Sequence, residues 1–300
     1  MAIDIAKLKA AAAATGKDMT KAQTGGGGGD YVPPAEGKTR LRFIGYIELG
    51  KQKDQIPGKP MTVKPKVELI FELSGPKHPP KVTDDGEKIP HRISITTNYS
   101  LNEKATFFKL FQQMNHAGKA THIVDLLGSA YTGTVYHRKY QKKDGTEGIA
   151  VDLKAKGGAY MLGAPIYEIV NEDGPTGDFA PLKVDPPISP IRAFLWECPD
   201  MEQWQSLYID GEYPERKDDA GKVIAKAKSK NVFQAKIKMA ENFGGSPIAL
   251  LLASNGVALD IPDAEQAATE DDEVESAAPV LSDPAPPQGQ DADDILNGVA

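Results

Sequence analysis

The sequence has a single cysteine, Cys198, in 300 residues. One thiol per chain excludes an internal disulfide and any zinc site built on two or more cysteines. No stretch reaches the roughly 18 apolar residues that a membrane-spanning helix needs. The first residues are interrupted by Asp4, Lys7 and Lys9 and lack the apolar centre of a secretory signal. The expectation is a soluble cytoplasmic protein, in the host cytoplasm if the chain is viral. The five histidines, His78, His91, His116, His122 and His137, show no metal-ligand spacing such as HExxH. Gly37-Lys38-Thr39 imitates the end of a phosphate-binding loop, but Val32 stands where that motif needs its first glycine. No catalytic residue, metal or cofactor is therefore expected.

Basic residues are missing from one end. Residues 260–300 hold 12 Asp plus Glu and no Lys or Arg. Removing those 12 from the 42 acids of the chain leaves 30 against all 35 basic residues. A net charge of −7 thus hides a mildly basic body and an acidic tail. Gly and Pro number 29 and 23, which points to linkers and loops around a modest core. The chain divides into four regions: a flexible N-terminal arm with a glycine linker (1–29), a nucleic-acid-binding domain (30–160), a C-terminal extension packed on it (161–258) and a disordered acidic tail (259–300).

Within 30–160 the apolar pattern alternates as in strands. Leu41, Phe43, Ile47 and Leu49 share one face of the first, with Arg40, Arg42, Ile44 and Tyr46 on the other. Val67, Leu69, Phe71 and Leu73 mark a second strand, and Ile93 and Ile95 a third. Ser100 and Glu103 sit at capping-box spacing before Phe107, Leu110, Phe111 and Met114, which recur with a helical period. Residues 131–142 and 146–156 form a hairpin around Asp144-Gly145. Strand, strand, strand, helix, strand, strand is the element order of the OB-fold, a five-stranded, partly open barrel. Its ligand lies on the second and third strands, flanked by the first-to-second and fourth-to-fifth strand loops. The expected class is β-rich α+β, an OB-fold barrel with a mixed helical extension. In the extension, residues 173–190 read as loop. Residues 200–209 and 231–243 and the segment after Ser246-Pro247 read as helices. Trp196, Trp204, Leu207, Phe233, Ile237 and Leu250 to Leu252 read as an apolar cluster.

The two loops at those places are basic: Lys51, Lys53, Lys59 and Lys64 in one, Lys142 and Lys143 in the other. Tyr136, Arg138, Tyr140 and Lys142 share one strand face. Rings that stack on bases, interleaved with cations that follow phosphates, are what a sequence-tolerant single-strand binder requires. Arg40, Arg42 and Arg92, opposite the apolar stripes, could extend that surface. The tail ends in Asp291, Asp293, Asp294, Ile295 and Leu296, acids beside an apolar tip. Such a tail can occupy a basic groove in place of DNA and dock partner proteins when DNA displaces it.

Together these features resemble the single-stranded DNA-binding proteins of tailed bacteriophages. The segments Trp196-Glu197-Cys198-Pro199-Asp200, residues 204–212 and residues 231–246 also resemble parts of phage replication-region proteins. The resemblance implies coating of single strands in DNA replication and recombination, with the tail contacting a polymerase, helicase or primase, and possible homo-oligomers. Some such proteins hold a structural zinc through Cys and His, a pattern this one-cysteine chain lacks. Two other classes fit the composition: a non-catalytic replisome or virion assembly protein, and a metal-dependent nucleic-acid-processing enzyme, which would need clustered carboxylates in the body.

Overall fold

The computed structural model describes residues 33–54, 60–83, 86–141, 147–172, 174–217, 223–225 and 227–259. The glycine-linked arm at 1–29 and all but the first residue of the tail at 259–300 lie outside them.

The first half of the chain runs β1 (Gly37–Asp54), β2 (Thr62–Ser74), a small ribbon of β3 (Lys81–Val82) and β4 (Lys88–Ile89), and β5 (Arg92–Asn98). Next come helix α1 (Thr106–Met114), a short 3-10 turn (Ile123–Leu126), β6 (Ala130–Gln141) and β7 (Glu147–Asp152). The long strands are antiparallel in the spatial order β5-β2-β1-β6-β7. The fourth long strand, β6, thus returns beside the first, which is the Greek-key arrangement. The edge strands β5 and β7 approach to within 8 Å between Cα atoms. No hydrogen-bonded ladder joins them, so the sheet curls without closing.

One side of this sheet packs as the alternation predicts. Val67, Leu69, Phe71, Leu73, Ile93, Ile95, Tyr131 and Val135 form a buried core with Phe107, Leu110 and Met114 of α1. The helix does not start where its sequence suggests. Ala105 is the N-cap and contributes no side-chain cap. The Ser100 hydroxyl instead accepts from the Asn102 N–H, and the Asn102 side chain accepts from the Lys104 N–H. A local turn has captured the groups that the capping box would have used.

β1 departs from strict alternation. Register shifts against β2 fall between Phe43 and Gly45 and between Glu48 and Gly50. Each inserts an extra residue and inverts the parity of the residues after it. Tyr46 therefore joins Leu41 and Phe43 in the first core, whereas Ile44, Ile47 and Leu49 face the other way. The sequence-based assignment of Ile47, Leu49 and Tyr46 is corrected by these bulges.

The opposite side of the sheet is also buried. There the chain adds β8 (Leu162–Gly163) on β6, a hairpin of β9 (Ile166–Asn171) and β10 (Gly174–Pro181), and β11 (Arg192–Phe194), parallel to β1. Helices α2 (Met201–Ser206), α3 (Val232–Lys238) and α4 (Pro247–Ser254) complete it. Ser246 caps α4 by accepting from Ala249 N–H at 3.2 Å, as its Ser-Pro start predicts. Trp196, Trp204, Leu207, Phe233, Ile237 and Leu252 pack with Ile44, Ile47, Leu49 and Ile70 of β1 and β2. Leu250, expected in this cluster, is 64% exposed. The region 173–190, expected as loop, contains β10. A two-stranded ribbon consists only of edges, so Pro175 and Pro181 remove no central ladder bond.

Candidate nucleic-acid interface

The β6–β7 hairpin carries the row that the alternation singles out. Tyr136 pairs with Asp152, Arg138 with Ala150 and Tyr140 with Gly148. Directly paired residues share a face, so these six lie on one side of the hairpin. Arg138 is exposed, and Tyr136 and Tyr140 are half-buried. The Tyr140 ring lies across Gly148, where a Cβ would stand 2.3 Å from Cζ. That glycine lets the ring lie flat on the partner strand. Asp152 is buried, and burial raises its carboxyl pKa. Backbone N–H groups of Lys154 and Leu153 and the charges of Lys154 and Arg138 oppose the rise. Lys139 extends to the other face and pairs with Glu147 at 3.0 Å. Lys142 and Lys143 lie outside the described residues.

The base of the hairpin is tied to the start of the described chain. His137 donates its backbone N–H to the Glu36 carboxylate at 2.7 Å, and its ring Nε2 bonds the Pro34 carbonyl at 2.7 Å. His78 Nε2 bonds the neighbouring Ala35 carbonyl, also at 2.7 Å. A carbonyl only accepts, so both rings carry a proton on Nε2.

The lysines of the expected first loop sit mainly on strands. β1 continues to Asp54 and β2 starts at Thr62, so Lys51, Lys53 and Lys64 belong to a two-stranded finger. Lys51 is exposed. Lys53 pairs with Glu241 at 2.8 Å, and Lys64 lies 3.9 Å from Asp54, whose carboxylate also holds the buried Lys66 at 3.1 Å. Lys59 lies outside the described residues. Gly37 pairs with Val135 and Lys53 with Val63, so β6 and the finger meet opposite ends of β1.

The three arginines are not gathered with Tyr136 and Tyr140. Arg42 donates to the carbonyls of Gly128, Val184 and Asp185, and its guanidinium serves to hold the extension. The Arg40 side chain lies against Gly75, where a Cβ would be 3.3 Å from Cδ. Arg92 lies near Arg192, whose pKa is lowered by burial and then by this like charge. The outer face of β2 is closed as well. Glu68 accepts from Lys236 at 3.0 Å, and Glu72 accepts from the backbone N–H groups of Ile188 and Ser189 at 2.8 and 2.7 Å. Part of the face where an OB-fold takes its ligand is thus covered by residues 184–252.

Sequence reasoning missed two exposed apolar positions beside cations. Ile149 pairs with Lys139 and is 39% exposed, although its parity with Val151 signals core. Val63, 47% exposed, neighbours Lys64. Among the described residues no group of His, Cys, Asp and Glu could hold a metal ion. Nor is any of their helices long and apolar enough to cross a membrane. The partner-binding tail residues Asp291, Asp293, Asp294, Ile295 and Leu296 lie outside the described residues. No protein-family model matches the chain, and no curated protein is significantly similar to it.

Proposed function

We propose that this protein binds single-stranded DNA without catalysis, through an OB-type barrel whose open side is flanked by the β6–β7 hairpin. The observation that carries the reading is the row Tyr136, Arg138, Tyr140 on one side of the hairpin, with Arg138 exposed between two half-buried rings. The Greek-key sheet, its approaching edges and a helix between the third and fourth long strands support the barrel. In this reading Tyr136 and Tyr140 stack on bases while Arg138, Lys142, Lys143, Lys51 and Lys64 meet phosphates. The acidic tail competes for the same cations and recruits replication proteins of a phage. Burial of β2's outer face favours a second reading, in which the barrel is a protein-only assembly module of a replisome or virion.

Titration of a labelled oligothymidine, against a duplex of equal length at two salt concentrations, separates the two. A DNA binder prefers the single strand and weakens with salt as phosphate contacts release counterions. The double variant Tyr136→Ala, Tyr140→Ala should lose roughly 1–3 kcal/mol per unstacked base. Full affinity in that variant, with an unchanged circular dichroism spectrum, would remove this face from the interface. No binding by the parent chain would leave the assembly reading.

A further inference from the structure

The β9–β10 hairpin is an arm left largely uncovered by the other described residues. Every residue of β9 is exposed, and β10 is exposed except for half-buried Gly174 and Ala180. Val170 is 65% exposed, Phe179 59% and Tyr167 51%. Ile166 and Ile169 add 44% and 41%. An isolated two-stranded hairpin is marginal in water, and large apolar side chains gathered on one protruding element mark an interaction surface. The arm is also acidic. Its described residues include Glu168, Glu172 and Asp178 and no Lys or Arg, a net charge of −3. That sign repels phosphates, so the arm is not a nucleic-acid contact. It equally repels the chain's own acidic tail. The occupant must be basic and apolar.

The chain carries such a surface on the β1–β2 finger. β6 pairs with β1 only over Gly37–Arg42, and β5 with β2 only over Lys66–Glu72. Lys51–Asp54 and Thr62–Pro65 therefore extend beyond the main sheet as a two-stranded finger, whose β1 strand is held by Glu241 and Asn242 and whose β2 strand is the outer edge. Its described residues include three Lys and one Asp, and with Lys53 paired to Glu241 its positive charge rests on Lys51 and Lys64. Met61 is 56% exposed and Val63 47%. The β2 edge at Thr62–Lys64 has no neighbouring strand among the described residues, and an open edge can accept one.

We infer that the acidic arm of one molecule docks on the basic β1–β2 finger of a second copy. Arm and finger are different surfaces, so the contact is heterologous and propagates into a ring or an open chain. Apolar side chains supply the burial, and opposite charges set the pairing and its salt dependence. Lys51 and Lys64 are shared with the proposed phosphate contacts, so the test contains no DNA.

The experiment is sedimentation velocity on the full chain at low and high salt, with two charge-reversed variants. One is Glu168→Lys, Glu172→Lys, Asp178→Lys; the other is Lys51→Glu, Lys64→Glu. The parent should associate with rising concentration, less so at high salt. Each variant alone should stay monomeric, since arm and finger then carry like charge. An equimolar mixture should assemble again, because each arm then faces an opposite finger. The neutral variant Val170→Ser, Phe179→Ser should also lose association, and unchanged melting curves confirm that all variants fold. A monomeric parent, association that survives either reversal, or a mixture that stays monomeric would each overturn the inference.

Discussion

Gly50 shows how one residue couples the two faces of β1. It lies in the second bulge with φ +72, and a Cβ there would meet the Trp196 ring at 2.3 Å. Positive φ is strained for any residue with a Cβ, and the Trp196 ring leaves no room. Gly50→Ala should therefore cost more than the ~1 kcal/mol that a compatible glycine site would gain from alanine, read as a lower urea midpoint. An unchanged midpoint would show that Trp196 yields freely. His78 offers a pH-dependent counterpart. Its ring is buried, with Nδ1 lacking a hydrogen-bond partner. Burial, opposed by the bond to Ala35 and reinforced by Lys77, lowers its pKa below the ordinary 6.5. Between its folded pKa and the unfolded value of about 6.5 the unfolded chain binds more protons, so stability falls as pH falls through that interval. His91 is shifted the same way by burial, Lys81 and His78. Thermal melts should hold steady above neutrality and decline below the unfolded value. His78→Gln with His91→Gln should flatten that decline; an identical slope would place its origin elsewhere.

At the scale of elements, legibility in the sequence depends on how local the determining forces are. The α1 stripe of Phe107, Leu110 and Met114 and the alternation of β2 depend on neighbours a few residues away, and both are buried as read. The row Tyr136, Arg138, Tyr140 is legible for the same reason. The seat of Tyr140 on Gly148 is not, because it depends on hairpin register. Bulges in β1 are invisible because an inserted residue has no composition of its own. Arg42 reads as a surface cation, yet its acceptors lie 86 to 143 residues away. Glu68 and Glu72 likewise alternate as solvent-facing residues, and only the arrival of the extension buries them. That burial makes the α3–β2 ion pair testable. Glu68 is 2% exposed and its partner Lys236 27%. Lys236→Met should strand a buried carboxylate and cost roughly 3 kcal/mol, with much of it recovered by adding Glu68→Gln. Additive losses in the double-mutant cycle would show that the two charges do not interact.

For the whole molecule, the decisive feature is a curled sheet with a core on each side. All described residues fall in one compact unit, and β1 contributes side chains to both cores. The extension supplies the second core's other half, binds Arg42 through the carbonyls of Val184 and Asp185, and satisfies Glu72 through the N–H groups of Ile188 and Ser189. A chain ending after residue 183 would expose Ile44, Ile47, Leu49 and Ile70 together and leave Glu68 and Glu72 without these partners. Both consequences oppose folding, since a contiguous apolar face associates and polar groups lose the partners that stabilise them. That truncation should be recovered as aggregate. A chain ending after residue 259 keeps every described contact of the second core and should melt at the parent's temperature. Soluble yield and melting of the two truncations decide the point. A soluble, cooperatively melting 1–183 would mean that the first core alone sustains the sheet and the extension is an added layer. Its newly opened β2 face would then be available to a ligand, and oligothymidine binding stronger than the parent's would identify the extension as a cover over the nucleic-acid surface.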